Sequence, residues 1–168
     1  MGKIVSVFGS KGGVGTTFLT TNIAISFSKE LGKNKNIALL ELNIKRGGDI
    51  SLLTGFSDRA NTKTLYDLLS FLPDIDPVML KGFFSSTDNN VDVLPMPISY
   101  KESEAVLNKL PDIINLLVNS YDYIFVDIED VFNKIYIKSI ESSDLCLLVL
   151  TPDVLSVKGT KQIMFLWE

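Results

Sequence analysis

Nine consecutive residues, Gly9-Ser10-Lys11-Gly12-Gly13-Val14-Gly15-Thr16-Thr17, combine glycine, one lysine and paired hydroxyls in a way that suits the holding of phosphate. Glycines let a backbone turn tightly and keep side chains away from a ligand, so successive N–H groups can point at phosphate oxygens. The stretch lies between an apolar run at residues 3–9 and a segment, 16–31, in which Leu19, Ile23, Phe27 and Leu31 recur at spacing four. That order predicts strand, loop and helix, and the helix start adds further amides and the positive end of its dipole. An ordinary strand-to-helix turn needs one glycine, not three in four positions. A dinucleotide-binding fingerprint fits poorly, because its third glycine would fall at Phe18. The candidate phosphate contacts are therefore Ser10, Lys11, Gly12, Gly13, Val14, Gly15, Thr16 and Thr17.

The elements that must position this loop alternate along the chain. Residues 37–42, 91–94, 123–127 and 145–150 read as further short apolar strands. Residues 64–71, 77–84, 101–119 (interrupted by Pro111) and 131–140 read as helices, and Asp153 as the N-cap of a last one. Residues 43–49, with Lys45, Arg46, Gly47 and Gly48, read as a loop. Strands that are apolar throughout are buried on both faces. The expected fold is thus α/β: a doubly wound, mainly parallel sheet flanked by helices, in one domain over residues 1–168.

Composition narrows the chemistry. The chain of 168 residues has no histidine, which excludes a Ser-His-Asp triad, a Cys-His pair and a His-based zinc site. Its single cysteine, Cys146, cannot form an internal disulfide, and in an apolar run it reads as a reduced core residue. With 16 basic and 20 acidic residues the net charge is −4, which argues against DNA as a partner of the whole surface and leaves room only for a local basic patch. No apolar stretch reaches the ~20 residues that span a bilayer, no membrane-binding segment is evident, and no signal peptide is present, so a cytoplasmic protein is expected. Met1-Gly2-Lys3-Ile4-Val5-Ser6 matches a myristoylation pattern, but Gly2 runs straight into a buried strand.

The general P-loop template, G-x-x-x-x-G-K-[ST], would place glycine at Ser10 and lysine at Thr16; the lysine stands instead at Lys11. Lys-Gly-Gly-Val-Gly followed by Thr-Thr resembles the deviant Walker A P-loop of the ParA/MinD family, ATP-dependent dimers that position plasmids, chromosomes, division sites, flagella and pili. The resemblance spans nearly the whole chain. It includes Glu41-Leu42-Asn43, where the family usually has Asp-x-Asp, the run Tyr123-Ile124-Phe125-Val126-Asp127, and Thr151-Pro152-Asp153 before a helix. It implies ATP and Mg2+ as ligands, Lys11 reaching in trans to the ATP of a homodimer partner, and Thr17 and Asp127 at the magnesium, with Glu41 nearby. Thr16 with Gly15, and Gly48-Asp49 before an aliphatic run, resemble the TadZ/CpaE branch, which places secretion machinery for Tad-type pili. That branch implies pilus or secretion proteins as partners, recruitment to a cell pole or membrane complex, and a receiver-like domain ahead of this one in a longer protein. Phe165-Leu166-Trp167-Glu168 fall inside a predicted helix, so truncation at the C-terminal end is also expected. The family's adenine pocket lies largely beyond that point.

Without the resemblance each site residue has a plainer reading: Lys11 as a solvated loop lysine, Asp127 as the cap of the next helix, Glu41, Glu129 and Asp130 as solvated acids, and Lys45-Arg46 as a solvated turn. Two departures from the family bear on catalysis. Thr16 donates one neutral hydrogen bond where the family has a second lysine, and charged donors are about twice as strong as neutral ones. The loss costs about 1–3 kcal/mol of phosphate or transition-state stabilisation. Asn43, at the usual water-positioning acid, orients a water but accepts protons poorly. Nucleotide binding with slow or absent hydrolysis, in a localisation factor for Tad-type pilus or secretion machinery, is the leading expectation. A scaffold that has lost nucleotide binding, and a partitioning or division-site ATPase, are the alternatives.

Overall fold

The computed structural model describes residues 1–32, 34–44, 49–56, 62–129, 131–132 and 134–165. Strands β1 (Lys3–Gly9), β2 (Ile37–Leu42), β4 (Val91–Leu94), β5 (Tyr123–Ile128) and β6 (Leu145–Val149) run parallel, and β3 (Ser85–Ser86) pairs antiparallel with β4. The sheet order is β3-β4-β2-β5-β1-β6, so β1, whose end opens the glycine loop, lies between β5 and β6. The crossovers carry α1 (Thr16–Leu31), α2 (Asp49–Leu53), α3 (Leu65–Leu68) with a 3-10 turn over Leu69–Phe71, α4 (Pro77–Lys81), α5 (Tyr100–Asn108), α6 (Leu110–Val118) and α7 (Lys134–Glu141). Helix α8 (Val154–Met164) follows β6. The doubly wound, mainly parallel sheet flanked by helices is the architecture expected of strands without polar alternation. Among the described residues, no helix is long and apolar enough to cross a membrane.

Successive strand residues face opposite layers. Ile4, Phe8, Leu40, Leu42, Ile124, Val126 and Ile128 pack with Leu110, Ile113, Leu117, Tyr136 and Ile163. Val5, Val7, Ile37, Leu39 and Phe125 pack with Ala24 and the half-buried Ile23 and Phe27. By the same alternation Glu41 and Asp127, register partners on β2 and β5, face the layer of α1 and α2. Gly2 donates its amide to the Val118 carbonyl at 2.6 Å, and a Cβ there would collide with the Tyr121 carbonyl, so glycine is needed for the chain to enter β1.

Several expectations change. The buried residues of α1 are Thr20, Thr21, Ala24 and Ser28, while Leu19 and Leu31 are partly exposed. Small side chains let the helix lie close on the sheet, and the larger Phe27 reaches round it to pack edge-on against Tyr123 and Phe125 at 4.8 and 5.7 Å. The helix expected over 77–84 stops at Lys81, and Phe83 and Phe84 are buried beyond it, leading into β3, which the sequence pattern does not reveal. The helix expected over 131–140 starts at Lys134. Cys146 is not a core residue: among the described residues β6 pairs with β1 alone, at the end of the strand order, and Cys146 is exposed with Leu145. Lys45, Arg46, Gly47, Gly48, Asp130 and residues 166–168 lie outside the described residues.

Candidate functional site

The loop after β1 is shaped by what its glycines permit. Gly13 and Gly15 have φ of 79° and 90°, the left-handed region that favours glycine, and a Cβ on Gly12, Gly13 or Gly15 would meet only open space. Gly9 differs. A Cβ there would come within 2.7–2.9 Å of Thr16 Oγ1, Val14 Cγ2 and the Lys11 carbonyl, because the loop folds back over it. The Ser10 amide donates to Val149 at 2.8 Å, which pins the loop to the end of β6. Among the described residues, no acceptor takes the backbone amides of residues 11–17. Gly15 caps α1 without a side-chain acceptor, and no acid sits in the helix's first turn. A row of free donors, a helix dipole and no competing carboxylate within the loop make a seat for an anion.

Asp127 closes the site from below. It is buried at the end of β5, where Thr17 donates a hydrogen bond to it and Thr20 Oγ1 lies 3.4 Å from Oδ1. Burial pushes its carboxyl up to about 6; the two threonines pull the other way, and the charges of Asp49 and Glu129 raise it further. Glu41 is fully buried rather than solvated, and its Oε1 accepts the Asp49 amide at 3.0 Å at the start of α2. Asn43 is buried just past β2, and Glu129 is exposed beyond Asp127. The glycine cradle fits a chain of phosphates, and the hydroxyl of Thr17 beside a carboxylate is a hard oxygen set that suits a magnesium ion. The Glu41 carboxylate already serves the backbone of α2 and shapes that corner.

Lys11 is half-buried and is paired within its own chain. Its Nζ lies 2.8 Å from Asp153 Oδ2, with the two side chains 34% and 40% exposed. Asp153 is the N-cap that the sequence predicts: Oδ1 accepts the Leu155 and Ser156 amides at 3.0 Å, while Oδ2 also accepts Thr151 Oγ1 at 2.5 Å. Lys11 and these donors hold the carboxyl well below the usual carboxylate range. Alongside, the Ser10 and Ser156 hydroxyls bond to each other, and Ser156 Oγ accepts the Thr151 amide at 2.9 Å. Gly159 brings α8 against the loop, since a Cβ there would collide with the Ser10 carbonyl oxygen.

Sequence reasoning missed Thr20, Ser156 and Gly159. Thr20 falls one helical turn after Thr17 and therefore on the same face, and a lone glycine inside a helical pattern marks a close approach. Both signals are present in the sequence.

The family model AAA_31, described as an AAA domain, matches residues 2–167. An ATP-binding protein of Methanocaldococcus jannaschii is 29% identical over 160 residues, 92% of this chain and 55% of its own length. The chain thus spans little more than half of that relative. The fold matches a ParA family ATPase from Chlorobium tepidum with a TM-score of 0.85 at 20% identity, covering 98% of this chain and 66% of that one. It also matches the septum site-determining protein MinD of Pyrococcus horikoshii, solved as a complex with Mg-ADP, with a TM-score of 0.78 at 23% identity over 99% and 65% of the two chains.

Two outcomes follow from this geometry. Gly159→Ala must push α8 off the loop, lowering unfolding stability in urea by about 1–3 kcal/mol. Asp127 sets a pH dependence in metal-free buffer. Its folded value, about 6, lies above the ~3.9 of an unfolded chain, so its contribution is most favourable below pH ~4 and is lost as pH rises through 6. Asp127→Asn removes that cost, so its stability relative to the parent rises between pH 4 and 6.5, by about 3 kcal/mol at the upper end.

Proposed function

The chain belongs to the AAA_31 family of AAA domains, and from that membership and the geometry of its glycine loop we propose that it binds Mg–ATP and acts as a nucleotide-dependent positioning factor with little or no hydrolysis. The observation that carries this reading is the row of amides over residues 11–17 that find no acceptor among the described residues, opened by Gly13 and Gly15 at positive φ and set at the start of α1, which has no side-chain cap. In this reading residues 10–17 wrap the phosphates, and Thr17 and Asp127 hold the magnesium ion, which offsets phosphate charge. The names of the relatives support it: one is an ATP-binding protein, and another was crystallised with Mg-ADP.

Slow turnover follows from two side chains. Thr16 brings no positive charge to the terminal phosphates, and the amide of Asn43 cannot take the proton of an attacking water. Such a protein keeps its nucleotide long enough to use the bound state as a signal. In the ATP-bound state Lys11 reaches across a face-to-face homodimer. The partners are components of a Tad-type pilus or secretion system, a reading that rests on Gly15-Thr16 and on the Gly48-Asp49 pair before the aliphatic run Ile50-Ser51-Leu52-Leu53. A second reading, a scaffold that no longer takes nucleotide, is favoured by one contact: the single lysine of the loop is already neutralised within its own chain.

Calorimetry with Mg–ATP decides between these readings. The proposal expects saturable binding, weakened at least tenfold by Thr17→Ala, and turnover that rises at least tenfold when Thr16→Lys and Asn43→Asp are combined. Absence of binding to the parent chain defeats the proposal and leaves the scaffold; rapid hydrolysis by the parent defeats the slow-turnover part alone.

A further inference from the structure

The row of open amides does not stop with the loop. In the first turn of α1 the backbone N–H of Phe18 also finds no acceptor among the described residues, and the first paired amide is that of Leu19, which donates to the Gly15 carbonyl at 2.9 Å. An anion seated on these donors therefore has one end of its path at Phe18. The side chain there is 59% exposed, and among the described residues no other aromatic ring packs against it. A lone exposed aromatic is ordinary on a protein surface; its place on the helix sets this one apart. Thr20, Thr21, Ala24 and Ser28 carry the buried face of α1, and Thr17 stands on the same side, donating to Asp127. Phe18 lies about 100° round the helix from Thr17, at the rim of that face rather than on it. Long side chains on a helix lean back toward its N-terminus, so this ring covers the turn before its own Cα, at the mouth of the loop. The glycines leave that mouth bare, since even a Cβ on Gly12, Gly13 or Gly15 would meet only open space.

We propose that the Phe18 ring is a shelf for the nucleoside end of the bound nucleotide. With the magnesium-bearing phosphates at Thr17 and Asp127, the rest of the ligand leaves past the last open donor, and there it meets an apolar ring instead of water. The inference rests on the proposed Mg–ATP reading and adds to it the feature that tells a nucleoside triphosphate from a bare polyphosphate. Backbone amides read phosphate oxygens, which the two ligands share, whereas an aromatic face offers contact that only a nucleoside can use. Stacking of this kind tolerates any base, because every base has a π-face, so the ring favours nucleotide over phosphate rather than one base over another. Phe18 takes no part in the charge balance at Thr17 and Asp127, and its contact is the same whichever protomer supplies the lysine.

The test sets Mg–ATP against Mg–tripolyphosphate, with dissociation constants measured by calorimetry for the parent, Phe18→Ala and Phe18→Trp. The parent is expected to bind Mg–ATP at least tenfold more tightly than Mg–tripolyphosphate. Phe18→Ala weakens Mg–ATP three- to tenfold and leaves Mg–tripolyphosphate within twofold, with the melting temperature unchanged because the ring is exposed. Phe18→Trp keeps Mg–ATP within twofold of the parent, and its added indole is quenched by Mg–ATP but not by Mg–tripolyphosphate, once the signal of the parent, which carries Trp167, is subtracted. A loss of Mg–ATP affinity below threefold in Phe18→Ala, an equal loss of both ligands, or no preference of the parent for Mg–ATP overturns the shelf while leaving phosphate binding by the loop intact. Binding of neither ligand by the parent overturns both readings.

Discussion

Backbone donors must be satisfied, and among the described residues the loop after β1 leaves a row of them open. Around that row of amides Ser10 is paired with Val149, α8 with its aspartate cap, and Asp127 with two threonines. Glycine makes the arrangement possible twice over. Gly13 and Gly15 supply backbone angles that other residues resist, and Gly9 supplies the empty volume into which the loop folds. A side chain at Gly9 would occupy the loop's interior and spread its amides. The sheet order then matters, because β1 lies between β5 and β6, so the loop is flanked by the carboxylate that ends β5 and by the helix that follows β6.

Helix α8 is bound to the loop more closely than its short contact length suggests. A hydroxyl pair, an ion pair and a glycine pressed against a carbonyl lie on one side of it, while Val154, Leu155, Val157 and Met164 stay exposed on the other. The other anchored helix, α1, is tied differently. Its small residues lie flat on the sheet, and Thr20 faces Asp127. The loop thus has one neighbour fixed to the core and one clamped to itself.

Much of this was legible in the residues. The strand boundaries of β1, β2 and β4 follow directly from apolar runs closed by glycine, polar residues or proline, and the glycine loop announces itself by density alone. Asp153 was readable as a cap because aspartate follows a strand-closing Thr-Pro. The misreadings share a physical origin. Leu19, Ile23, Phe27 and Leu31 at spacing four predicted the buried face of α1, but close packing on a sheet selects small residues, and hydropathy does not register that. Cys146 looked buried because edge and central strands are equally apolar here, and position within a sheet is a long-range property. The Lys11–Asp153 pair joins residues 142 positions apart, and no local pattern marks it.

Charge ties the site to its proposed use. Within the loop the single cation is offset by Asp153, and Asp127, with Asp49 and Glu129 near enough to act on it, makes the floor acidic. A bare polyphosphate brought to such a place meets amide dipoles but little net positive charge, and the carboxylates below repel it. A divalent cation reverses that balance, because it converts the Asp127 carboxylate from an obstacle into a ligand. The same acid that weakens the empty site strengthens the magnesium-loaded one. Thr16 in place of lysine deepens this dependence, since no side chain of the loop substitutes for the metal at the terminal phosphates. On the proposed Mg–ATP reading, a site of this composition favours metal-bound over free nucleotide. In the proposed reading Asn43, an amide that cannot take a proton, suits the site to holding the bound state rather than consuming it.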